Sequence, residues 1–239
     1  MTKLEPSDQL QQRLYREAQA CLKEAEDFFR STEWKEKTGW KLEGEAKDNT
    51  NDKAFSRPQP GNEKLKDVAI ETLIEVEPGS MMLVLVDDVE NSPKYDPDLE
   101  KIKKLYSVAD DCDVIKQITK GRIGFSKREC VLLRIWKQYD DGSLILAQRS
   151  TLLDTEPVGA EGVRMTAHGS FIKLSPVDGG KLCKWESMDC FDLGGMVPKF
   201  VINYLMGGKA LMEQIQKLKV FATEVQKAVK EELEKGEKK

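Results

Sequence analysis

Apolar residues return at helical spacing through residues 9–36, at Leu10, Leu14, Ala18, Leu22, Ala25 and Phe29, with Glu, Lys, Arg and Gln between them. That period predicts an amphipathic helix with one face in a core. Ser7 and Asp8 are suited to cap it, and Trp34 and Trp40 flank a turn at Gly39. The pattern then becomes strand-like. Val68–Val76 is rich in Val, Ile, Leu and Thr and predicts a strand. Asn49–Glu63 is polar with Pro and Gly, and is read as containing a loop, with room for a short edge strand. Met81–Val89 follows Pro78-Gly79 and is apolar throughout, so it fits a helix or a strand. Residues 97–107, opened by Pro97 and rich in lysine, predict a short helix.

The second half carries longer β patterns over Asp113–Thr119, Glu129–Tyr139, Ser143–Thr151, Val163–Ser175 and Lys181–Asp192. Asp140-Asp141-Gly142 predicts a hairpin between the second and third. Pro198 then opens a long helix over residues 198–230, with Phe200, Tyr204, Leu211, Ile215, Leu218, Ala222 and Val225 along one face. Gly207-Gly208 is expected to bend it. Residues 226–239 are mostly Lys and Glu and read as a fraying helix end and tail. The order helix, strands, short helices, strands, long helix predicts an α+β fold with a curved antiparallel sheet around the terminal helix. The expected organisation is a tail over 1–8, one domain over 9–225 and a charged tail over 226–239.

Composition narrows the function. The 239 residues include 38 Lys and Arg against 42 Asp and Glu, a net charge of −4 that marks no nucleic-acid binder. No apolar run reaches a membrane span, and Met1–Gln12 has no signal-peptide core, so a cytoplasmic protein is expected. Five scattered cysteines, Cys21, Cys112, Cys130, Cys183 and Cys190, read as reduced thiols in a core. The single histidine, His168, excludes a multi-histidine zinc site. No P-loop, G-x-G-x-x-G or nucleophile elbow occurs, so neither catalysis nor a cofactor is expected. Asp110, Asp111 and Asp113 match no EF-hand spacing and read as a solvated turn.

The strand Glu129–Tyr139 is apolar on both faces, so it is expected to be covered on both sides. One face carries Cys130, Leu132, Arg134, Trp136 and Gln138, and the other Val131, Leu133, Ile135 and Lys137. A buried Arg134 needs a partner: either a structural salt bridge or the head group of a ligand. Gln117 beside Ile115, and Gln148 beside Leu144 and Leu146, are mid-strand amides among aliphatics, a pattern found in ligand cavities with a few fixed polar groups.

The residues also carry a family resemblance. The loop Lys120–Ser126 followed by Lys127-Arg128-Glu129-Cys130-Val131-Leu132-Leu133-Arg134 resembles the loop–strand core of START domains, the lipid-transfer domains related to steroidogenic acute regulatory protein and phosphatidylcholine transfer protein. Gly162-Val163-Arg164 with His168-Gly169, Tyr95-Asp96-Pro97, and Asp192–Lys199 with Ile202-Asn203 are similar to further family signatures in the same order. The resemblance spans residues 80–220. It implies a helix-grip fold enclosing one lipid. In several family members an inward acidic residue faces an inward basic one; Arg134 matches the basic position and Gln117 aligns with the acidic one. Arg134 would then lack its usual partner and be open to a phosphate, which favours a glycerophospholipid over a sterol.

The resemblance implies a site of Gln117, Leu132, Arg134, Trp136, Leu144, Leu146, Gln148 and His168. Arg122, Ile123, Gly124 and Phe125 would form a mobile loop at the cavity mouth. Phe200, Asn203, Tyr204, Gly207 and Gly208 would form a gate on the terminal helix. The basic residues Lys120, Arg122, Lys127 and Arg128 would touch membrane surfaces transiently. The chain is read as a monomer whose partner is the lipid. The alternatives are a hydrolase of related fold and a lipid-gated interaction module.

Overall fold

The computed structural model describes residues 8–47, 51–121, 125–197, 202 and 206–236. Two helices come first, α1 (Asp8–Arg30) and α2 (Thr32–Glu36). The apolar stripe of residues 9–36 is therefore divided: the Ser31 hydroxyl accepts from the Trp34 amide at 3.1 Å and starts a new helix. Leu14, Ala18, Cys21, Ala25 and Phe29 are the buried face of α1.

Strands β1 (Lys41–Glu45), β2 (Lys53–Gln59) and β3 (Asn62–Ile74) follow. Within the segment 49–63 the strand is β2, which is no edge strand but is paired on both sides, with Pro58 near its end beside an irregularity in the ladder. Helix α3 (Pro78–Val86) resolves the ambiguous apolar run, with proline in its first turn. A 3-10 turn (Val89–Lys94) leads to β4 (Leu99–Ala109).

The helix expected over 97–107 is a strand. Its pairing with β5 (Cys112–Thr119) shifts register three times, between Leu99 and Lys101, Lys104 and Tyr106, and Ser107 and Ala109. Each irregularity adds a residue to the two-residue alternation. Buried Leu99, Ile102 and Tyr106 consequently fall three and four apart and mimic a helix.

The remaining strands are β6 (Arg128–Gln138), β7 (Leu144–Ser150), β8 (Val163–Arg164), β9 (Thr166–Val177) and β10 (Leu182–Asp192). Gly142, with φ +77°, turns the β6–β7 hairpin. The sheet order is β1-β2-β3-β10-β9-β7-β6-β5-β4, antiparallel throughout, and β8 pairs parallel with the start of β6.

Of the long helix expected over 198–230, the segment α4 (Gly208–Gly236) starts at the glycine pair and stays helical through residues 226–236. Before the pair, Ile202 is helical and accepts from the Met206 amide at 2.9 Å, and residues 198–201 and 203–205 lie outside the described residues. A Cβ on Gly208 would lie 1.9 Å from the Glu43 carbonyl oxygen, so only glycine lets the helix start this close to β1.

The sheet has two covered faces, as the two apolar rows of β6 require. Val131, Leu133 and Ile135 pack with Leu14, Ala18 and Ala25 of α1. On the opposite face, Leu211, Ile215, Ala222 and Val225 of α4 pack with α3 and with Leu146, Leu174 and Trp185. Among the described residues, no helix is long and apolar enough to cross a membrane.

Candidate functional site

A cavity of about 380 Å³ lies between the inner face of the sheet, the α3–β4 connection and α4. Leu85, Val89 and Tyr95 form one wall, Ile115, Leu146 and Ile172 the sheet side, and Leu218 and Phe221 the helix side. Tyr95 and Phe221 close one edge, with ring centroids 5.4 Å apart, and Lys217 reaches Asp98 at 2.5 Å beside them.

A row of polar side chains crosses the sheet, and its Arg134 and Gln148 line the cavity. Register places Asp113 of β5 opposite Arg134 of β6, Arg134 opposite Gln148 of β7, Gln148 opposite Ser170 of β9, and Ser170 opposite Asp189 of β10. The Arg134 guanidinium donates to Asp113 through Nε and Nη2, both at 2.7 Å. It also donates to the carbonyls of Leu85 at 2.7 Å and Val86 at 3.5 Å. Those carbonyls end α3, where the helix dipole is negative and carbonyls lack helical donors. Farther along the row, Gln148 Nε2 donates to Ser170 Oγ at 3.0 Å, and Ser170 donates to Asp189 Oδ1 at 2.5 Å. Burial pushes the Asp189 carboxyl up to about 6, while the Ser170 hydrogen bond opposes the shift.

The structure corrects the alignment of the acidic partner. Asp113, and not Gln117, faces Arg134; Gln117 sits opposite Cys130. Asp113 is buried, so it is no part of a solvated turn. Arg134 is thus already paired, and the structural salt bridge is the reading that stands.

Of the other expected site residues, Gln117, Leu146 and Gln148 line the cavity with Arg134. Leu132, Leu144 and Trp136 pack in the apolar clusters beside it and are not among its lining. His168 is exposed and also outside that lining; β9 is irregular there, as its register against β10 shifts between Cys190 and Phe191. Gly207 and Gly208 precede and open α4. Arg122, Ile123, Gly124, Phe200, Asn203 and Tyr204 lie outside the described residues. Phe125 lies under the Arg128 guanidinium, 3.9 Å from it. Arg128 is itself buried and donates to the carbonyls of Leu193 and Ser126, both at 2.7 Å, so it is not placed to touch a membrane surface. The wall residues from α3 to Tyr95 were not anticipated, nor was the Ser170–Asp189 pair.

The segments that carry the resemblance meet at one end of the sheet. Glu129, wholly buried, accepts from the amides of Gly159 and Glu161 at 2.8 and 3.0 Å and pairs with Arg164 at 2.9 Å. Lys116 joins them, 3.5 Å from Glu129 and 3.0 Å from Glu156. A Cβ on Gly194, which has φ +63°, would lie 2.2 Å from the Arg164 carbonyl oxygen. Three signatures are therefore one structural knot.

The START domain sequence model matches residues 21–227. The chain belongs to the START domain family. Solved START structures share its fold. Human StAR-related lipid transfer protein 5 superposes with a TM-score of 0.74 at 19% identity, over 92% of this chain and 98% of that one. Human STARD10 gives 0.70 at 16% identity, over 97% and 84%. The lipid transfer and protein localization domain of human StarD13 gives 0.63 at 18% identity, over 87% and 94%. A search of curated protein sequences finds no significant match. In this START domain the cavity lies under α4, and Arg134 and Gln148 of the five-strand polar row line it.

Proposed function

We propose that this START domain binds one lipid in the cavity under α4 and carries it between membranes, and that the lipid has an uncharged polar end. The observation that carries the second clause is the Asp113–Arg134 pair. With both Asp113 oxygens on Nε and Nη2 of Arg134, and the Leu85 and Val86 carbonyls on Nη1 and Nη2, the guanidinium has little left for a phosphate. The ground for preferring a glycerophospholipid falls away, and a sterol-like or other compact neutral lipid becomes the favoured cargo. Size supports this, because about 380 Å³ lies near the small end of the roughly 300–1,000 Å³ range of small-molecule sites.

Transfer of the apolar body from water drives uptake, at about 0.8 kcal/mol per buried methylene. The amides Gln117 and Gln148 orient the polar end. Exposed Lys120 and Lys127 supply the surface contact with anionic membranes. The exposed placement of His168, the sole imidazole, favours binding over hydrolysis.

Transfer of a fluorescent sterol between donor and acceptor vesicles tests this reading. The wild-type chain is expected to accelerate transfer. Leu218→Trp, which fills the cavity from α4, is expected to lower the rate at least tenfold with an unchanged circular dichroism spectrum. An unchanged rate in a folded Leu218→Trp variant would move the cargo out of this cavity.

A further inference from the structure

We infer that Ser170 and Asp189 fix the orientation of the Gln148 amide so that its carbonyl oxygen faces the ligand, and that the cavity thereby selects a lipid carrying a hydroxyl donor. This deepens the neutral-lipid reading and rests on it.

The argument starts from Asp189. An ionised carboxylate only accepts hydrogen bonds, so the Ser170 hydroxyl, 2.5 Å away, must donate to it. Ser170 has one proton and has spent it. Its oxygen can then only accept from Gln148 at 3.0 Å, so the Gln148 atom on that side is the amide nitrogen. The two amide atoms are thus told apart by the network, independently of how they are placed by shape. The other amide atom, Oε1, has no partner among the described residues, and Gln148 lines the cavity. An acceptor beside an apolar cavity loses free energy unless a donor meets it.

The neighbour on β6 completes the pattern. Arg134 lies directly across from Gln148. A guanidinium has five N–H groups. The bonds to Asp113, Leu85 and Val86 use four, leaving one on Nη1 among the described residues. A donor and an acceptor therefore sit on adjacent strands. A ligand hydroxyl answers both, accepting from Arg134 and donating to Gln148. A ketone, an ester or an ether answers only the donor and leaves Gln148 Oε1 unpaired.

Binding of two matched probe pairs tests this. One pair is a 3β-hydroxysterol and its 3-keto counterpart. The other is a short-chain diacylglycerol and its acetyl ester. In whichever scaffold binds, the hydroxyl member is expected to bind about tenfold tighter, the factor that one buried hydrogen bond is worth. Ser170→Ala frees the amide to turn. Asp189→Asn donates to Ser170 and lets its proton point at Gln148. Both variants are expected to bring the hydroxyl preference to within about twofold, a ratio that mere loosening of the fold would not move.

Equal binding of both members by the wild-type chain, or an unchanged ratio in both folded variants, overturns the inference alone. So does a co-purifying lipid that has no hydroxyl donor. Failure of every probe together with an empty cavity in native mass spectrometry overturns the carrier reading itself, and the inference with it.

Discussion

Asp113→Ala is expected to lower the unfolding free energy by about 3–5 kcal/mol, the usual cost of removing one partner from a buried ion pair. Arg134 is 1% exposed and Asp113 4%, so the guanidinium is left in the interior without its counter-charge. Lys104, 3.8 Å from Asp113 and partly exposed, can swing into solvent and offsets nothing. The double change Asp113→Leu with Arg134→Met removes both charges and is expected to recover part of the loss. It does not recover all of it, because the terminal carbonyls of α3 lose their donor. Urea unfolding of the three chains measures both steps. A single-variant cost under about 1 kcal/mol would mean the pair is not a closed structural unit. Arg134 would then regain its place as an anchor for an anionic head group.

Glu129→Ala is expected to cost a similar amount, about 3–5 kcal/mol, because Arg164, Lys116 and two loop amides all converge on its carboxylate. Its loss releases the connection from β7 to β8, so that segment should gain protease sensitivity before the sheet does. The pH dependence has a definite sign. Burial pushes the Glu129 carboxyl up, but the Gly159 and Glu161 amides and Arg164 together outweigh it and hold the carboxyl below its ordinary value. A depressed carboxyl contributes stability above its unfolded value and loses it as pH falls through the folded one. The gap between wild type and Glu129→Ala should therefore be full at pH 6–7 and shrink below about pH 4.5. Thermal melts across that range measure it. A gap that widens on acidification would contradict the assignment.

How much of this was legible in the sequence depends on the distance over which each feature is set. The two apolar rows of Arg128–Gln138 already required cover on both sides of the strand, and α1 and α4 supply it. The Asp140-Asp141-Gly142 turn fixed its own hairpin, since a two-strand register with a tight loop is local. Gln148 and Gln117 stood out as amides among aliphatics, and both line the cavity.

The partner of Arg134 was misplaced by four residues along β5. A shift by an even number leaves the same face inward, so the alternation of side chains does not distinguish Asp113 from Gln117. The β5–β6 register decides between them, and nothing in the composition of residues 120–127 reveals it. Strand β4 was hidden by its bulges, which give a sheet the spacing of a helix. Asp189 and Ser170 lie on strands that meet only through the β9–β10 pairing, and each alone is an ordinary polar residue in a strand. His168 was assigned to the cavity by alignment, while an irregular β9–β10 register accompanies its exposure.

Native mass spectrometry of the purified chain, followed by extraction and identification of any bound lipid, tests the central claim most directly. The predicted result is a 1:1 complex with a compact neutral lipid bearing a hydroxyl group, lost in Leu218→Trp. A chain that is empty as purified, and that takes up nothing from mixed liposomes containing sterols and diacylglycerol, would contradict the account.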